Sequence, residues 1–245
     1  MTAWTLRAFD SLDSTNEEIR RQAETGAAEG LAVLAKQQTA GRGRRGRAWE
    51  SPPGNLFLSL LLRPKASPAQ AATLSFLTAI VLAEALELAA PQLGPAITCK
   101  WPNDVLVNGA KIAGILLESR TAPDGKLDWV TVGIGVNLAW HPADTPYAVT
   151  SLAAHGTSLS PQDFAPWLLA RFGYWYGRWQ AEGFAPVRAA WLKRAQGLGL
   201  PAVVRLPDRE LHGVFVALDE GGALILEMPD GRRQTVTAGD VFPAG

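Results

Sequence analysis

Cysteine is nearly missing from this chain of 245 residues, since Cys99 stands alone. One thiol forms no intrachain disulfide and no cysteine metal cage, which suits a reducing compartment and makes a cytoplasmic protein the expectation. Net charge is missing too, with 23 basic and 23 acidic side chains, so a basic coat protein and a disordered acidic tail are excluded. The most apolar segment, Ala69 to Ala90, is broken by Thr73, Ser75, Thr78, Glu84 and Glu87. The first residues, MTAWTLRAFDSLDST, carry charges and turn formers where a signal peptide needs an apolar stretch. No membrane partner is therefore expected. There is no P-loop, no histidine pair at zinc spacing and no Gly-x-Ser-x-Gly, so classical kinase, metalloprotease and α/β-hydrolase chemistries fall away. His141, His155 and His212 share no ligand spacing and read as structural or solvated.

Hydrophobic residues make up 47% of the chain, enough for a sizeable core. Strands are expected at Thr5 to Phe9, Leu31 to Gln37, Asn55 to Leu62, Ile97 to Lys100, Lys111 to Glu118 and Trp129 to Asn137, with turns at Asn108-Gly109 and Pro123-Asp124-Gly125. Ser14 and Thr15, with Glu17 and Glu18 three residues on, predict a capping box opening a helix that Gly26 ends. Ser67-Pro68 predicts a buried helix running to Ala90, and further helices are expected over about Pro161 to Ala181 and Ala185 to Ala195. From Leu200 the pattern changes to short strands, Ala202 to Leu206, Leu211 to Leu218, Ala223 to Met228 and Arg233 to Val236. The expected class is α+β: a mixed sheet flanked by helices over residues 1–196, then a small β-barrel-like domain over 197–245.

Gly41-Arg42-Gly43-Arg44-Arg45-Gly46-Arg47 gathers four arginines in an otherwise neutral chain. Glycine lets backbone N–H groups approach an anion, and arginine offers a donor fork that matches phosphate or carboxylate. Four like charges on a glycine-rich loop cost entropy and repel, so a lid that orders over a phosphorylated small molecule is expected. A dinucleotide fingerprint is excluded because Arg47-Ala48-Trp49-Glu50-Ser51-Pro52-Pro53 cannot start the helix it requires. A nucleic-acid patch and a solvated surface loop stay open at this point.

In Lys100-Trp101-Pro102-Asn103-Asp104, a strand-end lysine could neutralise a carboxylate attacking phosphorus, while Asp104 could hold magnesium or orient the lysine. A plain turn with a snorkelling Lys100 is the competing reading. Gly133-Ile134-Gly135-Val136-Asn137 lets a flat group lie close to a strand, with Asn137 offering an amide to a base edge, although strand glycines also mark bulges. Lys111 in Lys111-Ile112-Ala113-Gly114-Ile115-Leu116 either faces a site or is solvated.

These segments and Asp13-Ser14-Thr15-Asn16, with Gln38-Thr39-Ala40 preceding the loop, occur in an order that closely resembles the biotin protein ligases. The likeness spans essentially the whole chain, because the tail with Leu218-Asp219-Glu220-Gly221-Gly222 is similar to that family's SH3-like C-terminal domain. The resemblance implies activation of biotin by MgATP to biotinyl-5′-AMP, then transfer to a lysine of a biotin carrier domain such as that of acetyl-CoA carboxylase. It implies that Ser14, Thr15, Asn16 and Gln38 hold biotin, and that Gly41 and Arg42 close over its carboxylate. Arg44, Arg45 and Arg47 then meet phosphates, with Lys100 bridging carboxylate and α-phosphate and Asn137 on the ATP side. Lys100, Arg42 and Arg44 are the expected catalytic residues and Asp104 the expected magnesium ligand. Trp49, Lys111, Gly114 and Gly135 complete the expected substrate site, and Trp140 with Ala148 to Leu152 is expected to cover adenine. Only thirteen residues precede Ser14, so the type expected is monofunctional, without a DNA-binding domain, as a monomer or homodimer. Lipoate protein ligase is the nearest rival, and an RNA-binding module the rival from another class.

Overall fold

The computed structural model describes residues 3–122 and 124–244; Pro123 of the expected Pro123-Asp124-Gly125 turn lies outside them. Seven strands form one sheet: β1 (Thr5–Leu12), β2 (Leu31–Gln38), β3 (Leu56–Leu62), β4 (Ile97–Lys100), β5 (Asp104–Val107), β6 (Ala110–Thr121) and β7 (Leu127–Val136). Their spatial order is β1-β2-β3-β7-β6-β5-β4. Only β1 and β2 pair in parallel, so the sheet is mixed.

Alternation sorts the strand residues onto two faces. Leu56, Leu58, Leu60 and Leu62 of β3 and Val130, Val132, Ile134 and Val136 of β7 point into the main core. That face is covered by α3 (Leu74–Ala89), the tryptophan-rich α4 (Pro161–Glu182) and α5 (Ala185–Leu192). The other face carries Val33, Leu61 and Trp129, against which α1 (Thr15–Glu24) packs Ile19 and Ala23. The ten residues of α1 cover part of that face. Beyond them lie Gly133 and Gly135 of β7 and Gly114 of β6, and this open part becomes the floor of a cleft.

Two local expectations are corrected. Ser14 is the N-cap of α1, but its side chain makes no capping bond. Its N–H is taken by Asp13 Oδ1 at 2.7 Å, and the two glutamates are engaged by arginines instead, Glu17 by Arg20 and Arg42 and Glu18 by Arg21. The capping box is at Ser67 and Gln70, opening α2 (Pro68–Ala72). The single helix expected to Ala90 divides at Thr73, whose hydroxyl donates to Gln70 O at 2.6 Å and accepts from Trp179 Nε1 at 2.9 Å. Residues Pro68–Ala89 are long and apolar enough to cross a membrane, yet 72% of the window is buried inside the protein.

The C-terminal unit is a five-stranded antiparallel sheet in the order β11-β10-β9-β8-β12. It comprises β8 (Pro201–Arg205), β9 (Glu210–Leu218), β10 (Leu224–Glu227), β11 (Arg233–Val236) and β12 (Asp240–Pro243). The last of these is a strand the sequence pattern does not reveal. The unit docks on the first domain through Trp101 Nε1, which donates to Gly222 O at 3.0 Å, and through Arg188, which donates to Leu218 O. Gly222 has φ +86° and sits where a Cβ would meet the Phe76 ring at 2.5 Å, so both its backbone and its contact demand glycine.

Candidate functional site

A cleft of about 800 Å³, counted with its open mouth, lies between the glycine floor and the arginine loop. Ser14, Thr15, Asn16 and Gln38 form one end, and Arg44, Asn103, Asp104 and Lys111 line the other. One end is neutral and rich in hydrogen-bonding groups, and the other is cationic.

The neutral end is built where α1 begins and β2 ends. Gln38 Oε1 accepts from Thr15 N–H at 2.8 Å, and its Nε2 donates to Ser51 Oγ at 2.9 Å, which donates to Trp49 O at 2.8 Å. Gln38 thus ties the start of α1 to the base of the loop. Beneath, Ser59 of β3 is buried within 2.7 Å of Thr15 Oγ1 and 2.6 Å of Asn16 Oδ1. Asn16 Nδ2 donates to Glu118 Oε2 at 2.7 Å. Gly133 is the floor under that amide, since a Cβ there would stand 2.3 Å from Asn16 Oδ1.

The loop folds as a small hairpin. Trp49 N–H donates to Gly41 O at 2.9 Å and Gly43 N–H to Arg47 O at 2.7 Å, around a tight turn at Arg44–Gly46. Gly41 does not line the cleft; a Cβ there would meet Trp49 O at 2.3 Å and Ser51 Oγ at 2.5 Å, so it serves closure of the hairpin. The mutual repulsion of the arginines is relieved by carboxylates. Arg42 pairs with Glu17 and Glu118, while Arg45 and Arg47 meet Asp240 of β12 at 3.2 and 2.8 Å. Half-exposed pairs of this kind contribute about 0–1 kcal/mol each, so the loop is held but remains releasable. Burial pushes Asp240 and Glu17 toward protonation, yet their arginine partners outweigh it and hold both carboxyls below the usual range.

Arg44 differs from the other three. It is more than half buried, its Nη1 donates only to neutral Asn103 Oδ1 at 2.9 Å, and desolvation lowers its pKa. Its charge is the least compensated of the loop and faces the cleft. Such a group gains most from an incoming anion.

Trp49 lies flat on the floor, with its ring 2.6 Å from the place of a Gly135 Cβ and 3.0 Å from that of Gly114. The flat group expected against these glycines is thus the protein's own indole. Lys111 Nζ stands 5.4 Å from the Trp49 ring and 5.6 Å from Tyr147. It also lies 2.7 Å from Asp104 Oδ1, as an ion pair bent too far for a regular hydrogen bond.

Lys100 sits behind this cleft, in a smaller adjoining cavity that shares Arg47, Asn103, Asp104, Lys111, Tyr147 and Asp240 as its wall. Its ammonium stands 4.8 Å from the ring centre of Phe242 of β12, and burial lowers its pKa. Asn137 is buried, and its Nδ2 donates to Thr150 O at 3.0 Å. It supports the 148–152 segment, which pairs with Lys111, rather than facing the cleft. Trp140 faces a shallow surface depression with Pro52 and Pro53, and Tyr147 is the aromatic of that loop that reaches the cleft.

Among the described residues no cluster of three His, Cys, Asp or Glu could hold a metal. Asp104 is one carboxylate beside a lysine, a donor set that fits magnesium only when the ion arrives with nucleotide phosphates and keeps most of its waters. Sequence reasoning missed Ser59, Glu118, Tyr147 and Asp240. Glu118 alone left a signal, lying four residues after Gly114 on the same face of β6.

Comparison with known proteins agrees with this architecture. The biotin/lipoate A/B protein ligase family matches residues 8–137, and the biotin protein ligase C-terminal domain matches residues 199–242. A biotin–[acetyl-CoA-carboxylase] ligase of Paracoccus denitrificans is 46% identical over 95% of this chain and 98% of its own length. The bifunctional ligase/repressor BirA of Bacillus subtilis is 33% identical, over 94% of this chain and 71% of the relative. Biotin protein ligase from Aquifex aeolicus in complex with biotin and ATP superposes with a TM-score of 0.82 at 26% identity, covering 98% and 99% of the two chains. The Leishmania major biotin protein ligase in complex with biotinyl-5-AMP gives 0.69 at 25%, covering 96% and 99%. On these matches and the shared two-domain architecture, the chain belongs to the biotin protein ligases of the biotin/lipoate A/B protein ligase family.

Proposed function

We propose that this protein is an ATP-dependent biotin protein ligase that forms biotinyl-5′-AMP and passes biotin to the carrier lysine of acetyl-CoA carboxylase. The observation that carries the reading is the two-ended cleft. A neutral hydrogen-bonding end suits a ureido head group, and a cationic end suits the meeting point of a carboxylate and a triphosphate.

In the first step a biotin carboxylate oxygen bonds to the α-phosphorus as the bond to pyrophosphate breaks. Arg44 and Lys111 line the place where those charges meet, and Lys100 is one side-chain shell away. Their cations stabilise charge that grows on the phosphoryl oxygens. Magnesium bound with the nucleotide would neutralise phosphate charge, with Asp104 as its protein ligand. In the second step the carrier amine attacks the acyl carbon and AMP leaves. The mixed anhydride hydrolyses readily, so a loop that excludes water preserves it until the carrier arrives.

The test is pyrophosphate release with MgATP and biotin, lipoate or octanoate, followed by mass analysis of an added carrier domain. Biotin-dependent release with one modified carrier lysine is expected; release with lipoate alone would move the chain to the lipoate branch. Steeply salt-dependent RNA binding without turnover would favour the nucleic-acid reading.

Arg44 gives a second expectation. Arg44→Gly removes the least compensated cation of the loop without touching the pairs of Arg42, Arg45 and Arg47, so biotinyl-AMP should still form but leave the enzyme about tenfold faster, the worth of one charge-assisted contact. Rapid filtration of labelled adenylate measures this. Unchanged retention counts against a role for Arg44 in closure.

A further inference from the structure

We propose that Glu118 is a positioning residue: one oxygen fixes the Asn16 amide, and through Ser59 the direction of the Thr15 hydroxyl, while the carboxylate also anchors Arg42. The inference rests on the biotin reading of the same cleft and adds a group that meets no substrate itself.

The argument is a count of protons. Glu118 Oε2 lies 2.7 Å from Asn16 Nδ2, and a carboxylate only accepts, so the amide must point its N–H₂ toward Glu118 and its Oδ1 toward Ser59. Ser59 Oγ is 2.6 Å from that Oδ1 and 2.7 Å from Thr15 Oγ1, with one proton for two neighbours. Asn16 Oδ1 has no proton to give, so it takes the one on Ser59. The Thr15 to Ser59 contact then uses the proton of Thr15. Gln38 Oε1, 3.1 Å from the Thr15 hydroxyl, is already served by Thr15 N–H at 2.8 Å.

The consequence is a lone pair on Thr15 Oγ1 turned to the neutral end of the cleft. An acceptor there selects a ligand with an N–H at that point, which a ureido ring has and a dithiolane ring lacks. A residue without an acceptor at position 118 would let the amide turn over and the whole series reverse. Burial makes the choice consequential, because Thr15, Asn16 and Ser59 are all nearly inaccessible and water cannot repair a wrong orientation.

The same carboxylate reaches the loop. Arg42 Nη2 lies 3.2 Å from Glu118 Oε1 and is also paired with Glu17. Head-group recognition and loop closure are thereby joined through one side chain on β6.

Two variants separate the roles. Glu118→Gln keeps an oxygen for Asn16 and loses the charge that holds Arg42; Glu118→Ala loses both. Expected for Glu118→Ala is a biotin KM raised about tenfold or more with the ATP KM unchanged. In Glu118→Gln the biotin KM should return to within about threefold of the parent, while adenylate release stays fast. Slow solvent exchange of the Asn16 side-chain amide in the ligand-free protein, kept in Glu118→Gln and lost in Glu118→Ala, reads the same network without turnover. A parent-like biotin KM in Glu118→Ala, or equal KM values in the two variants, overturns the proposal. A merely structural glutamate would lower melting temperature and kcat without the split. Absence of biotin-dependent turnover in the unmutated chain would instead overturn the function, and the exchange measurement would still decide the role of Glu118.

Discussion

Alanine in place of Lys100 is expected to slow biotin-dependent pyrophosphate release by about a hundredfold or more, with biotin binding little changed. The ammonium is held beside the cationic end of the cleft by the Phe242 ring at 4.8 Å. Burial disfavours its charge, Asp104 and Asp240 favour it, and Lys111 opposes it, with burial the largest effect. A lysine kept dry next to another cation is destabilised in the empty site, so an anion arriving between Lys100 and Lys111 relieves both. That relief is greatest when charge peaks at phosphorus, which directs the effect to kcat more than to KM.

The sign with pH follows. Because the pKa of Lys100 lies below the ordinary lysine value, its proton is lost earlier as pH rises. The kcat/KM of adenylation, which reports the free enzyme, should therefore decline on an alkaline limb below the usual lysine range, and Lys100→Arg, which stays charged, should lack that limb. A normal pyrophosphate burst in Lys100→Ala removes the residue from the first step. Mild loss there with severe loss in Lys111→Ala would assign the phosphate contact to Lys111, the ammonium that lines the main cleft.

The elements most legible in the sequence were those with local causes. Leu56 to Leu62 reads as a strand because every residue is apolar or small, and Asn108-Gly109 reads as a turn because both adopt positive φ, 49° and 78°. The arginine loop and the serine–threonine–asparagine segment were legible for the same reason, since their groups sit within a few residues of one another. What failed was decided at a distance. At Thr73, where the helix divides, the hydroxyl accepts from Trp179, 106 residues away, and at Ser14 the expected box partner Glu17 is paired with Arg42 of the distant loop as well as with nearby Arg20. Asp240 could not be assigned to the loop, as it is 193 residues from Arg47 and belongs to a strand without a pattern of its own. Lys100 and Asn137 stand out in their motifs, but their surroundings are set by Phe242 and Thr150, which those motifs do not contain.

Gly133→Ala should raise the biotin KM by about a hundredfold, the work of two or more broken buried contacts, and lower stability by about 1–3 kcal/mol through overpacking. The added Cβ would stand 2.3 Å from Asn16 Oδ1 and 2.9 Å from both Cγ and Nδ2. Asn16 cannot yield, because its oxygen is held by Ser59 and its nitrogen by Glu118 within an enclosed network. Displacing it breaks both bonds and turns the Thr15 hydroxyl, so recognition of the head group fails together with packing. Gly135→Ala provides the contrast, since its Cβ meets the Trp49 ring at 2.6 Å. Trp49 belongs to the loop rather than to the buried network, so the ring can lift. That variant should keep a near-normal biotin KM and lose adenylate retention instead. Steady-state KM values for biotin and ATP with a melting curve for each variant distinguish the two. A Gly133→Ala protein that folds and shows the parent biotin KM would mean that Asn16 does not govern the head-group end.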